Sequence, residues 1–510
     1  MDTIYVYTKA YNAEKTLRRT VDSILNQSYS NFVYYLCDNG SIDGTRKIVE
    51  EYAGQDSRIV PFFNRKNNVW DGNEDCINLW YNPKIDGYIC LLDADDEYKP
   101  DFLEKMLAFL TNNNLDIAAC GSDFVNAQTN KTAAVRNLSS NLFLEDALSF
   151  NKYFPTYHQF MRTNWGKLYR ASLLRNCDYD NYKEIFTKTP YGGDTLYCMR
   201  AFKNAKRVGI LAESLHVYYV SPKSLSYNFS NTRINSDRIL DDETRLFLTD
   251  KCGTISQPND NFLNGVYFHA IKDTLNVVLG SQASFPEKIT GIHDVFTSIH
   301  TKRLIAWQGM SNEKKQLFEA VANWLVTQKK VLSSKHKKDN DILTELEISL
   351  FCALNKPDAE MLKFMIDVRK RQPKASERFG IDMKLYEIVA KYPLLTGMPL
   401  QSIIYLSDTM FAVMRGDLQA ALDKIMQLSG NKIPLECTEG YLIFAQRVCA
   451  SLEYAKGRIF FKKLWAKFLL DNRRINEASA AVNELVEMLP TDIEVAKLKT
   501  RFDSITATKQ

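Results

Sequence analysis

Apolar residues follow two different rhythms along this chain, and the rhythm changes near residue 240. Before that point short apolar runs alternate with amphipathic ones. Ile4-Tyr5-Val6-Tyr7 reads as a strand. The segment from Ala13 to Gln27, capped by Asn12, reads as a helix with Leu17, Val21, Ile24 and Leu25 at helical spacing and Arg18, Arg19 and Asp22 on its outer face. Phe32-Val33-Tyr34-Tyr35-Leu36 is a second strand running into Cys37-Asp38-Asn39-Gly40-Ser41, and a second helix follows with Ile48, Val49 and Tyr52 as its stripe. The run Gly87-Tyr88-Ile89-Cys90-Leu91-Leu92 is a further buried strand. This alternation predicts parallel strands joined by crossover helices. Ligands of such sheets bind beyond the carboxyl ends of the strands, where Thr8, Asp38 and Asp93 stand.

Beyond residue 240 the strand-like alternation stops and helical periodicity runs to the end. Amphipathic helices are expected over Gly265–Leu279, Glu313–Val331, Ile342–Leu354, Asp358–Arg371, Gln401–Arg415, Leu418–Leu428, Glu439–Lys456, Arg458–Leu470, Asn476–Leu489 and Ile493–Phe502. The polar run from Ser333 to Asp341 reads as a linker. The division expected is therefore 1–240, 241–340 (helical extension and linker) and 341–510. Arg474-Ile475-Asn476-Glu477-Ala478 through Asp492 resembles a tetratricopeptide-like helix pair, echoed from Asp417 to Leu428 at a spacing too long for a regular array. Stacked hairpins present concave faces, so this half is a candidate surface for acceptor docking or for homo-oligomer formation; a bundle that only supports the first half fits the same pattern.

Chemistry enters at Asp93-Ala94-Asp95-Asp96, which closes the apolar run. Hard divalent cations prefer carboxylate oxygen and bind well where phosphate completes the shell. Isolated, such a motif is often only a solvated turn, and its company decides.

That company resembles family 2 glycosyltransferases. The run from Tyr11-Asn12-Ala13-Glu14-Lys15 to Asp22-Ser23-Ile24-Leu25-Asn26-Gln27-Ser28-Tyr29 is similar to their opening. Asp38-Asn39-Gly40-Ser41-Ile42-Asp43-Gly44-Thr45 is similar to their DDGSTDGT segment, and Leu92-Asp93-Ala94-Asp95-Asp96 to their DxD strand end. Trp165-Gly166-Lys167-Leu168-Tyr169-Arg170 and Tyr191-Gly192-Gly193-Asp194-Thr195-Leu196 follow as two further blocks. The resemblance covers roughly residues 1–230.

It implies an α/β GT-A domain, Rossmann-like and nucleotide-sugar-binding, ahead of an all-α region. It also implies inverting, metal-dependent transfer from a nucleotide sugar, expected to be UDP-linked, by a hexosyltransferase or N-acetylhexosaminyltransferase. Asp38 would contact the nucleobase, with Thr8, Ala10 and Tyr11 lining the same pocket. Asp93 and Ala94 would lie near the ribose, Asp95 and Asp93 would hold Mn²⁺ or Mg²⁺, and Lys167 would stand near the phosphates. Asp194 would be the general base, and His216 occupies the place where some relatives carry a third metal ligand. Each has a plainer reading: Asp38 as a turn brace, Asp194 as a helix cap, His216 as a packed residue.

Some positions depart from the pattern. Lys9 replaces a proline, Asn39 replaces the second aspartate, and Asn67 to Asn73 lacks the usual small residues and arginine. These departures keep a second reading open, a non-catalytic sugar-nucleotide scaffold.

Composition excludes other classes. Of 510 residues, 45% are hydrophobic and 25% charged, ordinary for a globular chain of more than one domain; a net charge of +4 argues for no nucleic-acid partner. Basic runs at Arg369–Lys374 and Lys335–Lys338 allow at most peripheral membrane association. Ten cysteines without CxxC spacing fit reduced thiols, and neither a signal peptide nor a spanning run is evident. A cytoplasmic location, or the inner face of the membrane, is expected, with a glycan or protein as acceptor. Glu97 and Tyr98 stand where a haloacid-dehalogenase phosphatase and a calcium loop would need other residues.

Overall fold

The computed structural model describes residues 2–67, 85–175, 177, 192–220, 231–329, 337–354, 356–371 and 380–507. The expectations for Asn68 to Asn73, Tyr191, Ser333 to His336 and Gln372 to Lys374 lie outside these residues. Two compact units divide the chain, Met1–Leu317 and Phe318–Gln510.

The first unit is built on a mixed ten-stranded sheet in the order β3-β2-β1-β4-β9-β6-β10-β5, with β7 beside β6 and β8 beside β10. The strands are β1 (Ile4–Ala10), β2 (Phe32–Asp38), β3 (Ile59–Phe63), β4 (Tyr88–Leu91), β5 (Glu97–Tyr98), β6 (Ile117–Asn126), β7 (Thr132–Arg136), β8 (Leu142–Leu144), β9 (Lys167–Arg170) and β10 (Val208–Val220). β1 runs parallel to β2, with Ala10 opposite Asp38, and parallel to β4, with Tyr7 opposite Leu91. Three strand ends therefore share one edge, as the crossover pattern predicts.

The crossover helices bury the expected stripes: Leu17, Val21 and Ile24 in Leu17–Leu25, and Ile48 and Val49 in Thr45–Gln55. The first of these helices starts later than its periodicity suggests, and Asn12 does not cap it. Asn12 adopts φ 51° and its Oδ1 accepts from Ile42 N at 2.9 Å, while Ala13 N donates to Thr45 Oγ1 at 2.7 Å. Residues 12–16 are thereby stitched to the turn after β2 instead of continuing the helix. That turn needs Gly40: it sits at φ +74°, and a Cβ there would lie 2.4 Å from the Lys66 backbone.

After β10 the unit is helical, through Asn231–Cys252, Gln257–Gly280, Phe285–Thr297 and Ile299–Ala306. The second unit is all helix among its described residues. Helices Asp358–Arg371, Leu418–Ser429, Leu435–Ser451, Ala455–Asp471, Ile475–Met488 and Ile493–Ala507 fall close to the expected spans. One expected helix is broken into Leu400–Tyr405 and Ser407–Met414, and Lys337 to Asp341, expected as linker, opens the helix Lys337–Ala353. Consecutive helices from Leu435 onward lie against one another, sharing Trp465, Phe468 and their neighbours between two apolar cores. No helix among the described residues is long and apolar enough to cross a membrane. Cys37, Cys90 and Cys120 are buried.

Candidate functional site

The acidic turn after β4 is held from behind by one helix. Thr16 Oγ1 donates to the Ala94 carbonyl at 2.9 Å, Arg19 to the Asp95 carbonyl at 2.5 Å, and Thr20 Oγ1 to the Asp96 carbonyl at 2.8 Å. Three successive carbonyls are thus anchored by residues at i, i+3 and i+4 of one helix face. The turn itself closes through Asp96 N donating to the Asp93 carbonyl at 3.2 Å. With the backbone pinned, the carboxylates keep their oxygens for other partners.

Those carboxylates divide into two kinds. Asp96 is fully buried; it accepts from Tyr219 N at 2.9 Å, and its Oδ2 lies 3.4 Å from His216 Nε2. Asp93 and Asp95 stay accessible to solvent although protein atoms crowd around them. Burial, and then the charges of Asp96, Asp194 and Asp95, push the Asp93 carboxyl well above the usual range. Burial also raises Asp95, opposed by a backbone hydrogen bond and by Arg19, and burial with the Asp95 charge raises Asp96. Like charges in a desolvated cluster repel, and a hard cation relieves both costs.

Asp194 enters this field from another element. It lies in the first turn of the helix Gly193–Asn204, remains accessible, and its Oδ1 accepts from Asn164 Nδ2 at 2.9 Å. Burial raises its carboxyl while Lys167 pulls it down. Lys167 is itself buried. Its ammonium donates to the Thr163 carbonyl and, at 3.3 Å, to that of Trp165, and burial lowers its pKa to about 8.

The other expected residues lie near the strand ends. Asp38 is buried and braces its turn, Oδ1 accepting from Ser41 N at 3.0 Å. Ala10 is buried and Tyr11 is exposed, while the Thr8 hydroxyl is buried and accepts from Tyr34 at 3.0 Å. Asn39 joins a polar row in which Asn64 donates to it at 2.7 Å and it donates to Asn67 at 2.8 Å.

His216 has no exposed surface. Its Nδ1 lies 3.2 Å from Ser122 Oγ, and its ring stacks on Trp165 at 4.3 Å. Burial, with Arg136 and Lys167 nearby, holds it well below the ordinary histidine value, so it is neutral. Its carboxylate neighbour is Asp96. Elsewhere Asp241, Asp242 and His300 bring ligand atoms within 4.8 Å of one another. There Asp241 already faces Arg245 at 3.1 Å and also Arg303, and His300 Nε2 meets Asp242 at 2.7 Å. Guanidinium groups supply the positive charge, so this cluster is an ion-pair network.

Residues 5–177 match the profile described as glycosyl transferase family 2. The chain carries a family 2 glycosyltransferase domain. The glycosyltransferase GlyA of Streptococcus pneumoniae is 24% identical over 232 residues, 44% of this chain and 32% of that protein. EpsJ of Bacillus subtilis, named as a glycosyltransferase, is 25% identical over 218 residues, 42% of this chain and 60% of its own. The matched region thus spans less than two thirds of either relative. Among solved structures, residues 1–349 of Staphylococcus aureus TarS in complex with UDP are 18% identical over 69% of this chain and 91% of that one, with a TM-score of 0.45. The glycosyltransferase domain is α/β, of the GT-A kind, and a helical region follows it.

Two contributors to the domain's site escape a reading of the sequence. Arg19 falls on the polar side of its helix, yet it pairs with Glu97 at 2.9 Å, lies 3.5 Å over the Tyr219 ring and holds the Asp95 carbonyl. Asn164 directly precedes the Trp165 block and carries no signal beyond that adjacency.

Proposed function

We propose that this protein transfers a sugar, with inversion, from a nucleotide sugar, UDP-linked, to a hydroxyl of a glycan or protein acceptor. One observation carries the reading: Asp194, on the helix Gly193–Asn204 that follows the matched segment 5–177, stands close enough to Asp93 for its charge to be felt there, beside a turn that holds two accessible carboxylates. Asp194 takes the proton from the acceptor hydroxyl as that oxygen bonds to the anomeric carbon. The bond from that carbon to the donor phosphate breaks on the opposite face, and its electron pair leaves with the nucleoside diphosphate. Asn164 orients the carboxylate of Asp194, and the buried ammonium of Lys167 favours its ionised form.

Asp95 and Asp93 fit a divalent cation, Mn²⁺ or Mg²⁺, because they are hard oxygen donors whose crowded charge lacks a full counterion. Such a cation supplies Lewis-acid stabilisation of the departing diphosphate. His216 lies behind them with its Nε2 3.4 Å from Asp96 Oδ2, so Asp93 and Asp95 rather than His216 would hold the cation. Asp38 and Tyr11 flank the nucleoside at the strand ends.

The test is a thermal-shift and turnover screen of nucleotide sugars with and without Mn²⁺, on the parent and on Asp95→Ala. The expected result is a metal-dependent rise in Tm with one donor, release of its nucleoside diphosphate, and loss of both in the variant. Donor binding without turnover, unchanged in Asp194→Asn, would instead identify a sugar-nucleotide scaffold.

A further inference from the structure

The helix Gly193–Asn204 grips the loop before β9 at three successive residues. Thr195 Oγ1 donates to the Arg162 carbonyl at 2.9 Å, Cys198 Sγ lies 2.9 Å from the Thr163 carbonyl, and Asp194 Oδ1 accepts from Asn164 Nδ2 at 2.9 Å. Asp194 and Cys198 stand four residues apart, on one face of the helix. That helix begins beyond residue 177, where the family match ends, so the grip ties Asp194 to a loop inside the matched segment.

Cys198 has no exposed surface, and three oxygens lie near its sulfur: the Thr163 carbonyl, Asn164 Oδ1 at 3.2 Å and the Tyr169 hydroxyl at 3.5 Å. Burial pushes the thiol up, so it keeps its proton. One proton serves one acceptor at a time. The Thr163 carbonyl already accepts from the ammonium of Lys167, a stronger donor than a thiol, and the Tyr169 hydroxyl has its own proton to donate to the sulfur. Asn164 Oδ1 is the acceptor left for the thiol.

The other end of this chain fixes its direction. An ionised Asp194 only accepts, so Asn164 turns its NH2 toward the carboxylate and its carbonyl oxygen toward the sulfur. The amide rotated by half a turn would set oxygen against oxygen at Asp194 and strand the thiol proton. Hydrogen bonds therefore run one way, from Tyr169 through Cys198 and Asn164 to Asp194.

We propose that Cys198 is a positioning residue for the base: its thiol, donating to Asn164 Oδ1, holds the amide in the one orientation that presents an N–H to Asp194. The assignment rests on the transferase reading above.

The test compares Cys198→Ser, which keeps a donor, with Cys198→Ala, which has none, in the full chain. Turnover of the donor found in the nucleotide-sugar screen is read as kcat and donor KM. The expected result is a kcat about three- to tenfold lower in Cys198→Ala, the size of one lost hydrogen bond, with donor KM unchanged and most of the loss recovered in Cys198→Ser. Equal loss in the two variants, or no loss in Cys198→Ala, overturns the assignment. A second measurement needs no turnover. The infrared S–H stretch of Cys198 is isolated as the difference from the same protein carrying Cys198→Ser, in the parent and in Asn164→Leu. It should move to higher frequency in Asn164→Leu, where the thiol has lost its acceptor. A band that stays in place shows the thiol donating to Thr163 and overturns the assignment. A parent that turns over no donor while its band still moves overturns the transferase reading and the positioning role with it but leaves the hydrogen-bond chain, so the two failures are distinguishable.

Discussion

Asp194 and Lys167 form the pair whose chemistry is most exposed to experiment. Burial raises the Asp194 carboxyl and Lys167 opposes that rise, so the base is ionised only above its raised value. Asp194→Asn should lower kcat by about 10²–10⁴-fold while leaving donor-induced thermal shifts in place. Lys167→Met removes the opposing charge, so the Asp194 pKa rises further and the acid limb of kcat/KM moves to higher pH. An alkaline inflection near 8, where burial has moved Lys167, should vanish in the same variant. An unmoved acid limb would show that Lys167 serves only the carbonyls of Thr163 and Trp165. Asp237 provides a check on stability. Its folded pKa is raised to about 6 from 3.8, so the native state binds the extra proton, and this contribution is complete below 3.8 and lost as pH rises through 6. Asp237→Asn should flatten the urea stability profile across that window.

Among the elements, the helix Leu17–Leu25 does more than cover the sheet. One face buries Leu17, Val21 and Ile24; the adjoining positions Thr16, Arg19 and Thr20 hold the acidic turn. Gln27, just past its end, is buried and reaches the next helix. Its Nε2 donates to the Lys99 carbonyl at 2.8 Å, and its Oε1 accepts from Leu103 N at 2.9 Å. The helix Phe102–Asn112 has no side-chain cap of its own from Asp101, so Gln27 supplies the cap from a distance. Gln27→Leu strands both partners and should cost about 2 kcal/mol or more in denaturant unfolding. The apolar stripe of the first helix is visible in the sequence. Its grip on the turn is not, because hydrogen bonds to carbonyls some 76 residues away leave no local periodicity.

For the whole molecule, each compact unit has its own apolar cores: one centred on Phe150, Tyr157 and Phe202 and another on Val6, Tyr34 and Leu36 in the first, and one on Leu385, Phe444 and Phe461 and another on Leu469, Val482 and Leu485 in the second. Separate cores predict separable unfolding. Calorimetry of the full chain should resolve two transitions, and a nucleotide sugar with Mn²⁺ should raise only one of them. A single transition that shifts as a whole would show the units to be energetically coupled.

Periodicity and motif together determined the strand–helix alternation, the family of the first domain, most helix spans of the second half, and the candidate acids Asp93, Asp95 and Asp194. These are local properties: a stripe of apolar residues or a carboxylate closing a strand can be read within a few positions. Tertiary structure decided what each acid experiences. It sends Asp96 inward to Tyr219 and His216, buries Lys167 beneath Asp194, turns Arg19 toward the turn and brings Asn164 to the carboxylate of Asp194. It also sets Cys198, one helix turn beyond Asp194, against the amide of Asn164. Charge and desolvation act through space, and only the folded chain sets those distances.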